Sequence, residues 1–103
     1  MFNLEHELYE CDSFKTVVTV EDGLPFIHIV LYEKLTPGRL KLMQEVFKET
    51  CQFLDAMGVV TLFALTPNPA FGSRFFKRGL TQHESFQGRP LLSWDIQEFL
   101  YGN

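Results

Sequence analysis

Two apolar runs dominate the pattern of hydrophobic and polar positions. Residues 26–32 (Phe-Ile-His-Ile-Val-Leu-Tyr) and 59–66 (Val-Val-Thr-Leu-Phe-Ala-Leu-Thr) are hydrophobic almost without interruption. Runs of this length without polar alternation predict strands covered on both faces, the usual condition of parallel strands. Between them Leu40, Met43, Phe47, Leu54 and Met57, with Val46 and Thr50 filling in, recur at helical spacing, while Glu45, Lys48, Glu49, Gln52 and Asp55 fall mostly elsewhere. Thr36 can cap this helix, Pro37 suits its first position and Gly58 suits the residue just past its end. A helix over 38–57 is long enough for the right-handed crossover of a parallel strand-helix-strand unit.

The flanking segments add strands to that unit. Residues 14–20 are β-branched and apolar, and Glu21-Asp22-Gly23 is a turn signal, so 14–20 and 25–32 are expected to form an antiparallel hairpin. Pro25 stands where a strand can begin without losing a ladder bond. After the second run, Asn68-Pro69 repeats the capping logic, Phe71 and Phe75 form an i, i+4 pair, and Gly79 closes a short helix carrying Arg74, Lys77 and Arg78. Residues 80–86 and 90–96 flank Gln87-Gly88-Arg89 as a second hairpin. Residues 3–10 fit either a helical turn or an edge strand, and 97–103 either a last helical turn or a loose tail. The predicted class is α/β, a single domain with a mixed, mostly antiparallel sheet around a central parallel β-α-β pair. Its element order is β-β-α-β-α-β-β, with room for another strand in front.

Composition narrows the functions rather than the fold. The 103 residues suffice for one modest core, to which the eleven phenylalanines contribute heavily; those at 47, 53, 63, 71, 75, 76 and 86 are expected mostly inside. A net charge of −4 argues against a large nucleic-acid footprint, which needs a basic surface. No window has the length of apolar sequence that spans a membrane, and the first residues lack the basic and apolar regions of a signal peptide. Cys11 and Cys51 have neither CxxC spacing nor a framework, and read as reduced thiols in a cytosolic or intracellular setting. His6, His83 and Glu84 lack metal-ligand spacing, so no metal is expected.

The element order, together with residues 65–80 (Leu-Thr-Pro-Asn-Pro-Ala-Phe-Gly-Ser-Arg-Phe-Phe-Lys-Arg-Gly-Leu), resembles the C-terminal half of the GNAT family of N-acetyltransferases. That family has an Asn at the end of its fifth strand, an Ala three on, a Tyr four after that, and Gly-Phe closing the helix. Asn68, Gly79 and Leu80 match in spacing, Phe71 stands in the alanine's place and Phe75 in the tyrosine's. The resemblance implies an acetyl-CoA cleft in which Tyr32, Leu35, Gly38, Arg39, Lys41, Asn68, Phe71 and Phe75 line the cofactor and Glu33, at the end of the strand, is the candidate base.

Three departures accompany the likeness. The family's Q/R-x-x-G-x-G/A pyrophosphate loop is reduced here to Leu35-Thr-Pro-Gly38-Arg-Leu-Lys41, with one open glycine and a proline that removes a donor. Phe75 lacks the hydroxyl that commonly protonates the departing thiolate. Few residues precede the hairpin, too few for the strand and two helices that wall the acceptor site. Short phage-encoded GNAT-like proteins look similarly eroded. Each candidate also has an ordinary reading: a plain helix start for Gly38, Arg39 and Lys41, an N-cap for Asn68, an exposed loop glutamate for Glu33, and a buried, hydrogen-bonded core residue for His28. The expected function is a degenerate GNAT-like protein acting through protein–protein contact, with a protein partner or homodimer. It would be a phage structural or accessory protein, or an inhibitor of a host protein. The alternative is a minimal acyl-CoA-dependent N-acetyltransferase.

Overall fold

The computed structural model describes residues 4–65, 76–86 and 88–102. They form an α/β layer: a mixed six-stranded sheet with two helices on one face. The strands are β1 (Leu4–Glu10), β2 (Phe14–Glu21), β3 (Leu24–Leu31), β4 (Thr61–Leu65), β5 (Leu80–Phe86) and β6 (Arg89–Asp95). The helices are α1 (Pro37–Ala56) and α2 (Ile96–Tyr101). The spatial order is β1-β2-β3-β4-β6-β5, and every neighbouring pair is antiparallel except β3 and β4.

Local chemistry explains most of these boundaries. In the β2–β3 hairpin Glu21 faces Leu24, leaving Asp22 (φ 53°) and Gly23 (φ 78°) as a two-residue turn. Two consecutive positive φ values match the right-handed twist of the flanking strands, and Asp-Gly is suited to them. Thr36 caps α1, its hydroxyl accepting from Arg39 N–H, and Pro37 opens the helix. At the far end Gly58 (φ 83°) donates to Asp55 O at 3.0 Å and Val59 N–H to Leu54 O at 2.9 Å, a Schellman closure.

Several expectations are refined. Residues 4–10 are a strand rather than a helical turn, pairing with β2 through a register shift between Glu7 and Tyr9. Ile96 starts α2 instead of ending a strand, because the Asp95 carboxylate accepts from Glu98 N–H at 2.9 Å and caps the helix. Arg89 faces Phe86 within the β5–β6 hairpin, so it belongs to the strand and not to the loop. The expected second helix falls mainly on residues outside those described; its last part, 76–79, forms a bend and a turn.

The core lies between α1 and one sheet face. Met43, Val46, Phe47, Cys51 and Leu54 of α1 meet Phe14, Val18, Ile27, Leu62, Ala64, Leu92 and Trp94. Phe47 is the hub: its ring lies 4.6 Å from Phe76, 5.0 Å from Trp94 and 5.0 Å from Phe99. Of the phenylalanines expected inside, Phe47 and Phe76 are buried and Phe63 is half-buried, but Phe53 is 52% exposed. Phe53 and the equally misassigned Met57 lie beyond the edge of the stripe that faces the sheet, whereas Thr50 and Cys51 occupy it. The Cys51 thiol is free, and burial pushes its pKa up to about 12, so it is an inert core group.

Two core substitutions check this packing. Phe47→Ala should cost about 3–5 kcal/mol in urea unfolding, since it removes the ring on which three others rest. A loss below about 1 kcal/mol would show that α1 does not depend on that cluster. Thr16 Oγ1 is buried without a hydrogen-bond partner among the described residues. Thr16→Val should therefore stabilise by about 1 kcal/mol, and a destabilised variant would mean that the hydroxyl has a partner in solution.

Candidate functional site

The resemblance puts its cofactor site beside the parallel pair, at the start of α1. β3 and β4 share one ladder step, Phe26 opposite Phe63, whose rings pack at 5.6 Å. Phe26 is early in β3, so among the described residues the strand's later part has no ladder partner on the β4 side. Parallel strands separated by a crossover direct their C-terminal ends toward the start of the connecting helix. The unpaired stretch of β3 consequently opens toward the first turn of α1, where Gly38, Arg39 and Lys41 lie.

That first turn is largely closed from within. Pro37 has no N–H; Arg39 N–H donates to the Thr36 hydroxyl at 3.2 Å and Leu40 N–H to Thr36 O at 2.9 Å. Gly38 is exposed with open space where a Cβ would sit, and is left as the turn's open donor. An anion cradle needs several converging N–H groups, and one remains.

The Arg39 guanidinium is also engaged. It pairs with the Asp12 carboxylate at 3.1 Å. Asp12 sits in the β1–β2 connection, which antiparallel pairing of β2 with β3 brings beside the end of β3 and hence beside α1. Ser13, buried at 2% exposure, places its hydroxyl 3.1 Å from Asp12 Oδ1 and 3.1 Å from Glu33 Oε1. One hydroxyl proton serves two carboxylates, so the serine bridges them. The Ser13 hydroxyl holds the Asp12 carboxyl below the usual aspartate pKa against the opposing effect of desolvation, and the charge and hydrogen bond of Arg39 add smaller effects in the same direction as the serine. The chain Glu33–Ser13–Asp12–Arg39 thus ties two loops to the first turn of α1 and neutralises the one guanidinium that the cofactor reading needs.

The remaining candidates are scattered. Tyr32 continues the edge of β3: its N–H donates to Ser13 O at 2.9 Å and its hydroxyl to Glu10. Leu35 packs against the core instead of facing a cleft, and Lys41 is exposed. Asn68, Phe71 and Phe75 lie outside the described residues. His28 is hydrogen-bonded as expected, 2.9 Å from Thr19 Oγ1, yet its side chain is 39% exposed rather than buried, because no described helix covers that sheet face. On the same face His83 lies 2.6 Å from Ser93 Oγ.

Asp12 and Ser13 were not identified from sequence. Their signal was positional: Cys11-Asp-Ser interrupts two extended segments, and a hairpin order places that break at the end of β3.

The chain matches no known family model, and no curated protein matches it significantly. Among the described residues no helix is long and apolar enough to cross a membrane, and no group of three or more His, Cys, Asp or Glu side chains could hold a metal ion.

The bridge can be tested by titration. A folded pKa below the ordinary value means that Asp12 stabilises the fold at neutral pH and loses that contribution as pH falls through its folded value. Ser13→Ala should raise the Asp12 pKa in an NMR carboxyl titration, and Arg39→Gln should raise it less. An unmoved Asp12 in both variants would dissolve the network.

Proposed function

We propose that this chain is a GNAT-like domain that has given up acyl transfer and works through protein–protein contact. The observation that carries this reading is the closure of the α1 N-terminus: Asp12 occupies Arg39, Thr36 takes two first-turn donors, and Pro37 lacks a third. A pyrophosphate would have to displace an internal carboxylate and would meet one free N–H in place of a cradle.

Three further features support it. The strand order, with the second strand of the last hairpin inserted against β4, and the single-step parallel pair opening over α1 are compatible with a GNAT-like scaffold. Both described helices pack on one sheet face. At the open end Val30, Leu31 and Tyr32 are each about half exposed, an apolar run that a partner protein or a second copy of the chain would cover. The short phage-encoded proteins it resembles suggest the setting, a virion component or accessory protein or an inhibitor of a host protein.

One observation favours the alternative of a minimal acyl-CoA N-acetyltransferase. Among the described residues the backbone of β3 beyond Phe26 has no ladder partner on the β4 side, where an extended pantetheine arm could pair. Transfer to an amine would then rest on positioning and polarisation of the thioester, with Glu33 or a water as base.

Calorimetric titration with acetyl-CoA, with light scattering for mass, separates the two. The expected result is no heat of binding for the parent or for Asp12→Ala, which frees Arg39, together with a mass above that of the monomer. Micromolar binding by a monomeric parent would overturn the interaction reading in favour of the enzyme.

A further inference from the structure

Away from the α1 N-terminus, an open groove of about 400 Å³ is lined by Lys48, Phe76, Lys77, Arg78, Phe99 and Leu100. Its construction follows from the aromatic hub. Phe47 packs on Phe76 and Phe99 from beneath, and Lys48, the next residue along α1, is carried to the rim. The Trp94 indole donates to the Phe76 carbonyl at 2.6 Å and pins the start of the 76–79 turn. Gly79 (φ 74°) completes that turn. A Cβ there would come within 2.9 Å of Asp95 O and 3.1 Å of Phe99 N, so only glycine lets the turn tuck against α2 and present Lys77 and Arg78.

The result is an apolar floor of half-buried Phe99 and Leu100 with Phe76 below, and a rim of exposed cations. Three of the nine basic side chains of a chain with net charge −4 gather here. Among the described residues none of the three pairs with a carboxylate, and no acidic side chain lines the groove. Unpaired like charges beside exposed apolar surface are complementary to a ligand carrying the opposite arrangement.

We propose that this groove binds an acidic, apolar-containing peptide segment of a protein partner. An apolar side chain of the peptide lies on Phe99 and Leu100, and its flanking carboxylates meet Lys48, Lys77 and Arg78. A lone phosphate would need converging backbone donors, whereas this floor is apolar and the cations stand on flexible stems around it. The inference deepens the interaction reading by naming the partner's chemistry at a surface separate from the α1 N-terminus. The two fail separately, because acetyl-CoA binding does not bear on this groove.

The chain's single tryptophan reports on the site through Phe76. A short synthetic peptide alternating glutamate and leucine should shift Trp94 emission saturably and give a matching calorimetric isotherm. Its glutamine-for-glutamate counterpart should not bind. The Lys77→Glu/Arg78→Glu double variant should weaken binding about tenfold or more at low salt, and about 150 mM salt should weaken it in the parent. Lys34→Glu, an exposed charge change elsewhere, should bind like the parent. Silence in both readouts, equal binding of the glutamine peptide, equal loss in Lys34→Glu, or saturation of the same site by inorganic pyrophosphate alone would each overturn the proposal.

Discussion

The sheet is two antiparallel ribbons, β1-β2-β3 and β4-β6-β5, joined among the described residues by a parallel ladder at Phe26 and Phe63. Side-chain packing adds to the backbone pairing at this seam. Helix α1 splints it, because its buried stripe meets Phe14, Val18 and Ile27 on one side and Leu62, Ala64, Leu92 and Trp94 on the other. The fold therefore rests on a helix crossing the seam, and Phe47, packed against rings from β6, α2 and the 76–79 turn, is where that splint is anchored.

The same constraint creates both surfaces of interest. Among the described residues the β3–β4 ladder runs only through Phe26 and Phe63, and polar groups converge beside the end of β3 at the start of α1. In this chain they converge as Asp12, Ser13, Glu33 and Arg39, which satisfy one another. The ion pair is exposed enough to contribute little stability, and its consequence is chemical: it removes a cation from service. At the other side of the splint, packing Phe76 and Phe99 around Phe47 carries Lys48, Lys77 and Arg78 to one rim, with no acidic partner among the described residues. One basic group is neutralised from within while three others are left for something outside.

The sheet's second face is less covered by the described residues. Val17 and Phe26 are buried on it, Phe63 is half-buried, and His28 and His83 each find a hydroxyl, Thr19 and Ser93 respectively. Hydrogen bonds of this kind keep imidazoles satisfied at a partly wet surface; at His28 the Thr19 hydroxyl also donates to Glu21, whose carboxylate lies 4.0 Å from the ring nitrogen.

Elements whose signals are local were legible in the sequence. Thr36-Pro37, Gly58, Asp22-Gly23 and the apolar spacing of α1 each depend on backbone dihedrals or helical period within a few residues, and the parallel character of β3 and β4 followed from unbroken apolar runs. The start of α1, where the resemblance puts its cofactor site, was legible for the same reason. Its occupancy was not legible, because Asp12 reaches Arg39 only once β2 lies antiparallel to β3. Likewise residues 4–10 needed β2 as a neighbour to become a strand, and Phe53 and Met57 needed the sheet's position to be seen as outside the buried stripe. The sequence alone determined which segments turn, cap and cross over, since those are short-range properties of the chain. Which charges meet, which are left unpaired and which aromatic rings face water were decided only by tertiary structure, because such contacts join residues far apart in sequence whose distances exist only in the folded chain.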